Sequence, residues 1–403
     1  MPRVVITGLG VISPAGQSID DFWQAIVAGN SAIRPLKLIS TAQLTSKIAG
    51  AVADFDPSAH FEEKPLSLLD RFAQFAVVAA RQAIAHAGLQ GQCALTTAAT
   101  IIGSAAGGQT TVDEGYKRLY GENATRVHPL TIPRWMLNAA TSQVSMDLGL
   151  GGPAFAVASA CASGTHALGQ AFRLVRDGDV EIAVAGGAEA CLTLGTLKSW
   201  EALRVMSADT CRPFSRQRSG MVLGEGAAVL VLESLESARA RDAQIYAEVV
   251  GFGMSADASD ITLPDAAGAA RAMAAALRDA RLEPNAVDYV NAHGTGTTIN
   301  DIVETKALHR VFGDHAYRLA VSSSKAVLGH SLGAAGALEL VVTALAINDN
   351  IAPPTANFVE VDPACDLDYV PNEARDLPIE VALSNSFAFG GLNAVIALRR
   401  FDG

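Results

Sequence analysis

The chain has 403 residues, half of them hydrophobic, and a formal net charge of −11 at neutral pH. A chain this long and apolar buries one large core or two medium ones, which speaks against disorder. The acidic balance, with no Lys/Arg-rich run, speaks against nucleic acid or an anionic membrane as the main partner.

The opening MPRVVITGLG lacks the charged, apolar and cleavage regions of a signal peptide, and no uncharged apolar segment reaches the length of a bilayer span. The expectation is a soluble cytoplasmic protein. Its five cysteines (Cys93, Cys161, Cys191, Cys211, Cys365) are odd in number and show neither CxxC nor Cys/His ligand spacing. No disulfide framework or zinc site is therefore expected.

Apolar strand-like runs alternate with helical patterns along the chain. The runs are Val4 to Thr7, Thr100 to Ile102, Phe155 to Ala158, Ile182 to Ala185, Ala227 to Leu232, Val287 to Asn291, Leu319 to Ser322 and Val381 to Asn385. The alternation predicts an α/β fold with layered helices and sheet. Gly8, Gly10 and Gly16 follow the first strand, but their spacing does not fit a dinucleotide-binding GxGxxG, so they read as turn residues. Leu68 to Ala87 has helical spacing and stops at Gly88, a C-terminal glycine.

The most informative stretch is FAVASACASGTHALGQAF. A β-branched run halts at small residues and a helical pattern resumes directly after Cys161. This points one sulfur at a helix N-terminus, where unpaired N–H groups and the helix dipole favour thiolate over thiol and can also hold an oxyanion. A buried, inert cysteine is the plain alternative. Against it stand two distant histidines in Gly-rich punctuation, His293 in VNAHGTGTTIND and His330 in SSSKAVLGHSLGAAGALE, the pattern of a cysteine nucleophile.

The two halves also rhyme: a strand leads into SACASGTHALGQAF and a helix, and later a strand leads into SSSKAVLGHSLGAAGALELV and a helix. This predicts an internal duplication with a seam near Glu248 to Met254, giving units 1–250 and 251–403. Gly329 to Gly333 also spells GxSxG, with Ser331 as a competing nucleophile. That arrangement places its histidine after the serine, and no histidine follows His330.

Taken in order, RVVITGLGVISPAG, SACASGTHAL, AVAGGAEA, RPF with VLGEGAAVLVLE, NAHGTGTTINDIVETKAL, SSSKAVLGHSLGAAGALE and NSFAFGGLNA resemble the β-ketoacyl-acyl carrier protein synthases, condensing enzymes of the thiolase-like superfamily. The resemblance covers essentially the whole chain. It implies a thiolase-like fold of two duplicated halves in an α-β-α-β-α sandwich, and a decarboxylative Claisen condensation that lengthens a fatty-acid or polyketide-type chain by two carbons. By motif it implies Cys161 as nucleophile, His293 and His330 as the decarboxylation pair, and Lys325 with Glu339 as a supporting charged pair. Phe389 is implied as gate and oxyanion-hole residue, Thr295 and Thr297 as contacts of the carrier's phosphopantetheine arm, and Asp301 as a further support.

A monovalent-cation position at Asn291, Glu339, Ser384 and Asn385 is implied as well, with an internal hydrogen-bond network as the alternative. No other cofactor is implied. The implied partner is an acyl carrier protein, for which Lys64, Arg71 and Arg204 are docking candidates. A homodimer through Phe155 to Val157 is implied, and a heterodimer with a paralogue in which this chain is the active half stays open. A thiolase would need a second cysteine in the last motif, and a chain-length-factor subunit would usually lack the nucleophile.

Where the family commonly reads PFDxxRDGF, this chain has Ser215 and Ser219. Ala388 and Leu392 replace residues of the usual GFGGTN, and Ala105 and Ala106 stand where relatives often carry bulk, which predicts a roomier tunnel. These departures suggest a specialised pathway rather than housekeeping elongation.

Overall fold

The structure is a computed structural model and describes residues 2–403. Its main sheet has ten strands: β1 (Val4–Ile12), β2 (Ala99–Gly103), β3 (Ala154–Val157), β4 (Ile182–Glu189), β5 (Gly226–Ser234), β6 (Ala247–Ala256), β7 (Tyr289–Asn291), β8 (Ala320–Ser322), β9 (Val381–Ala388) and β10 (Leu392–Arg399). In space they run β8-β7-β9-β10-β6-β1-β5-β4-β2-β3. Split between β6 and β1, each half has the same order, third-second-fourth-fifth-first. Each also has the same sense: two parallel pairings, then two antiparallel ones. The halves join where β1 pairs antiparallel with β6, from Val4 opposite Val249 to Ile6 opposite Ala247. Because β6 is the first strand of the second copy, the division falls ahead of Ala247 rather than at residue 250.

The principal helices are α1 (Arg71–His86), α2 (Ala139–Leu148), α3 (Ser163–Asp177), α4 (Leu194–Ala202), α5 (Ala266–Ala280), α6 (Thr298–Phe312) and α7 (Ala335–Asp349). Alternate residues of each strand feed different cores, as the two-residue period of a strand requires. Val229 and Val231 pack outward under α1, and Ala228 and Leu230 inward under α3 and α7. In the second half Ala382 faces α7, while Leu383 joins α5 and α6. Five layers result, with α3 and α7 back to back at the centre. The central α7 is buried almost throughout and nearly all apolar, with Glu339 as its buried charged exception. The one helical stretch among the described residues long and apolar enough to cross a bilayer, Leu332–Asp349, is this core helix, 89% buried.

Two local expectations change. The helix begins at Arg71, not Leu68, because Ser67 to Leu69 turn back on the carbonyls of Glu63, Pro65 and Leu66 and Asp70 is extended, capping the Phe72 N–H at 3.2 Å. Gly88, at φ +67°, ends the helix as expected. Gly8 and Gly10 lie inside β1 rather than in turns. A Cβ on Gly10 would sit 1.9 Å from the Ala79 carbonyl of α1, so these glycines let helix and strand approach.

Candidate active site

The thiol is presented by the short passage from β3 to α3. Ala160 holds φ +48°, a left-handed conformation that costs a non-glycine residue roughly 1–2 kcal/mol. Ser163 offsets that strain: its hydroxyl donates to the Ala160 carbonyl at 2.7 Å and accepts the Ser159 N–H at 2.9 Å. The turn leaves Cys161 buried, two residues ahead of the first turn of α3.

The second half supplies the partners. His330 follows Gly329, whose φ is +74°, and is fixed by its own N–H on the Val222 carbonyl at 2.7 Å and by the Gly224 N–H on its carbonyl at 2.9 Å. Its Nε2 lies 3.1 Å from the Cys161 sulfur. His293 follows β7, with its ring centroid 5.4 Å from that of His330. The buried Lys325 ammonium donates to the His293 carbonyl at 2.6 Å, to His293 Nδ1 at 3.3 Å and to Glu339. Its three hydrogens are thereby used. Because Nδ1 accepts, the proton of a neutral His293 sits on Nε2. The Phe389 and Cys161 backbone N–H groups both pull the thiol toward its ionised form, in keeping with the expected oxyanion donors lying near the sulfur.

Burial dominates the electrostatics. It pushes the Cys161 thiol up to about 12, against the pull of Lys325 and the two N–H groups. In the resting site, burial opposes the thiolate that the helix end favours. Burial and Lys325 together hold both histidines well below the usual imidazole range. The resting site thus holds a neutral thiol and two neutral imidazoles. Neutral His330 can take the thiol proton, and an imidazole N–H can donate to a developing enolate.

A cavity of about 340 Å³ opens onto these groups, lined by Cys161, His293, His330, Thr295, Thr297 and Phe389 among others. Asp301 lies behind it. Its carboxylate accepts the Phe214 N–H at 2.7 Å and the Gly296 N–H at 3.2 Å, bracing the Thr295 to Thr297 loop. Ser331 is buried, hydrogen-bonds neither histidine and does not line the cavity, so the serine alternative lacks its base. Ala105 and Ala106 do not line it either, because their N–H groups bind Glu189 behind the site. Ser219 does line the cavity and is paired with Ser207 at 2.9 Å, whereas Ser215 ties down the Val359 and Glu360 turn.

Of the docking candidates, Arg204 lines the cavity mouth and Lys64 is exposed. Arg71 is corrected: its guanidinium forms a fork on buried Glu225 at 2.8 and 3.0 Å and stacks over Phe75, so it is structural. At the cation position, the orphaned Asn291 Oδ1, Glu339 Oε2 and Ser384 Oγ belong to residues on the α7 side of the sheet, where an oxygen-binding cation fits. Asn385 departs from that set: its side chain leaves on the other face, donating to Glu304 at 3.3 Å.

Two buried carboxylates were not singled out from sequence. Glu304 accepts the N–H groups of His293 and Gly294 at 2.9 and 2.8 Å, and Glu189 ties Ala105 to Gly333 across the two halves. Both sit in quoted motifs, and the signal available was an acidic residue on a pattern that otherwise reads as core.

A duplicated five-layer α/β fold that brings a buried thiol from one half to two imidazoles from the other defines a condensing acyltransferase of the thiolase-like type. Residues 1–238 match the β-ketoacyl synthase N-terminal domain and residues 246–359 the C-terminal domain. The chain belongs to the β-ketoacyl synthase family, and its reaction is the condensation of an acyl group with malonyl carrier protein. It is 44% identical over 410 residues to 3-oxoacyl-[acyl-carrier-protein] synthase 2 of Coxiella burnetii, and 45% identical over 401 residues to nodulation protein E of Rhizobium sp. strain N33, in each case over 99% of both chains. Among solved structures it is similar to the ishigamide ketosynthase/chain length factor, with a TM-score of 0.96 at 37% identity over 99% of both chains. It is also similar to AntDE:AntF, a type II polyketide acyl carrier protein in complex with its hexaketide-bound ketosynthase, with a TM-score of 0.90 at 33% identity over the whole of both.

Proposed function

We propose that Cys161 is the acyl acceptor. His330 takes the thiol proton on Nε2 and keeps it, the sulfur attacks the acyl thioester, and the Cys161 and Phe389 N–H groups hold the tetrahedral oxyanion as the carrier thiolate leaves and is protonated from solvent. Malonyl carrier then enters. Its bond to carbon dioxide breaks, and the electron pair left behind is held as an enolate by the His293 and His330 N–H groups. That pair attacks the acyl-cysteine carbonyl, and the cysteine sulfur leaves and takes its proton back from His330. Lys325 and Glu339 keep His293 in the tautomer that donates, and Thr295 and Thr297 receive the pantetheine arm. The single observation that carries this reading is the 3.1 Å approach of His330 Nε2 to the Cys161 sulfur.

The carrier partner is an acyl carrier protein docking at the cavity mouth by Arg204, with Lys64 as a second contact. The subunit pairs through the edge strand β3, where Phe155 is exposed. Self-pairing is the first reading, and pairing with a chain-length-factor paralogue is the second, favoured by the likeness to the ishigamide assembly. The compartment is the reducing cytoplasm, in keeping with five free cysteines. A monovalent cation on Asn291, Glu339 and Ser384 would supply charge balance and rigidity behind Lys325, not chemistry.

The pathway is a specialised one rather than housekeeping elongation. Best kcat/KM on octanoyl and longer saturated carriers would reverse that assignment. The deciding experiment is the intact mass of the protein after a panel of acyl-carrier thioesters, then after malonyl carrier. One acyl mass that needs Cys161 and is discharged by malonyl carrier is the expected result. An adduct that persists in Cys161→Ala would overturn the assignment of the nucleophile.

A further inference from the structure

The Phe389 N–H can serve acyl transfer at Cys161 only if the β9–β10 hairpin holds its position, and that hairpin turns on two glycines. Gly390 and Gly391 follow Phe389 at φ +80° and +69°, and Gly390 is exposed. Its turn is tethered by the Gly390 N–H on the Ile261 carbonyl at 2.8 Å and by the Asp257 N–H on the Gly391 carbonyl at 2.9 Å. The Phe389 ring has one aromatic partner among the described residues, Trp200, with ring centroids 5.6 Å apart and planes 24° from parallel.

Trp200 is mounted on a fixed element. Its helix α4 is capped by Thr193 and anchored by buried Leu197. The neighbouring Glu201 carboxylate accepts the Thr45 and Ser46 N–H groups at 2.5 and 2.9 Å. Lys198 adds a contact to the Gln43 carbonyl at 3.1 Å. Trp200, Phe389 and Cys161 line the same cavity. An indole on a braced helix therefore faces a phenyl whose own backbone carries the donor.

We propose that Trp200 is a positioning residue for acyl transfer: its indole clamps the Phe389 ring so that the Phe389 N–H stays aimed at the Cys161 sulfur, and loading of an acyl chain on Cys161 parts the two rings. The inference rests on the oxyanion role given above to Phe389. A stack of this kind shifts a two-state equilibrium by roughly two- to tenfold, which sets the scale of the kinetic effect. Neither ring touches the reacting atoms, so the effect falls on the rate of acylation rather than on substrate capture.

The test uses the full-length enzyme and hexanoyl-pantetheine as acyl donor. With Trp23→Phe and Trp135→Phe, Trp200 is the sole indole of the three in the chain. Acylation of Cys161 is expected to change its emission, and Phe389→Leu to remove that change. In the otherwise unaltered enzyme, Trp200→Leu should slow acylation by roughly two- to tenfold at unchanged KM, with Trp200→Phe restoring it to within about twofold. Trp200→Leu combined with Phe389→Leu should be no slower than either alone.

Emission that ignores acylation, or Trp200→Phe and Trp200→Leu slowing the enzyme equally, overturns the clamp. If Phe389→Leu slows acylation and Trp200→Leu does not, the clamp fails while the role of Phe389 stands. If neither variant slows it, both fail.

Discussion

The two halves of the molecule answer the same topological position in different ways. In the first half the third strand, β3, reaches α3 through residues 158–162, and in the second its counterpart β8 reaches α7 through residues 323–334. The short link has room for one reactive atom, held at a helix N-terminus by a strained alanine and a serine clip. The longer link has room for a second turn, and it carries both the buried ammonium of Lys325 and the imidazole of His330. Duplication supplied two equivalent strand ends, and loop length decided that one became a nucleophile and the other its chemical support. The site exists only because α3 and α7 pack back to back and bring the two loops together.

This division can be broken most sharply at the nucleophile. Cys161→Ala should abolish the acyl-enzyme, a loss of at least about 10³-fold in condensation. It should leave decarboxylation of malonyl carrier measurable, because the second loop is intact. Intact mass and carbon dioxide release read the two steps separately. If both vanish together, the two loops do not divide the labour.

The converse is His293→Ala. Its ring faces the site but does not contact the sulfur, so acylation should survive while decarboxylation falls by about 100- to 1000-fold. His330→Ala sharpens the contrast, since its ring touches the sulfur: both steps should fall. Equal behaviour of the two histidine variants in the acylation assay would erase the distinction between them.

How much of this was legible in the chain differs between the halves for a physical reason. Cys161, His293 and His330 announce themselves because reactive residue types interrupt apolar strands at small-residue turns. The strand alternation likewise exposed the α/β layering and the duplication. Glu189 and Glu304 did not stand out, because a carboxylate that accepts backbone N–H groups inside a core has no spacing signature, whether its partners lie ten residues away, as for Glu304, or in the other half, as for Glu189 with Gly333. Arg71 misled for the related reason that an arginine at a helix start looks solvent-facing until Glu225 is found buried beside it. Gly8 and Gly10 read as turns because the need for space against α1 is a tertiary fact.

A smaller effect separates the charged pair from the rest of the second loop. Burial pushes Glu339 up to about 7 while the Lys325 ammonium beside it pulls it down. Glu339→Gln leaves that ammonium buried without its counter-charge, which should cost about 3–5 kcal/mol of stability. The double variant Lys325→Met with Glu339→Leu should recover much of that loss, because an apolar pair of similar volume removes both desolvation terms. Chemical denaturation of the three proteins measures it. A Glu339→Gln protein as stable as the wild type would show that the pair is not what holds this loop in place.

The smallest effect concerns the first loop alone and sets the helix end against burial. A thiol held at about 12 is almost wholly protonated at neutral pH, so its thiolate fraction rises about tenfold for each pH unit well below that value. The rate of Cys161 alkylation by iodoacetamide in the free enzyme should climb with that slope from pH 6 to about pH 9 without levelling. Cys93, the one exposed cysteine among the described residues, is replaced by serine so that it does not compete. A plateau near pH 7 would mean that the α3 N-terminus and Lys325 overcome desolvation in the resting enzyme. A continued rise would place the activation of the sulfur later, when His330 removes its proton as the acyl thioester arrives.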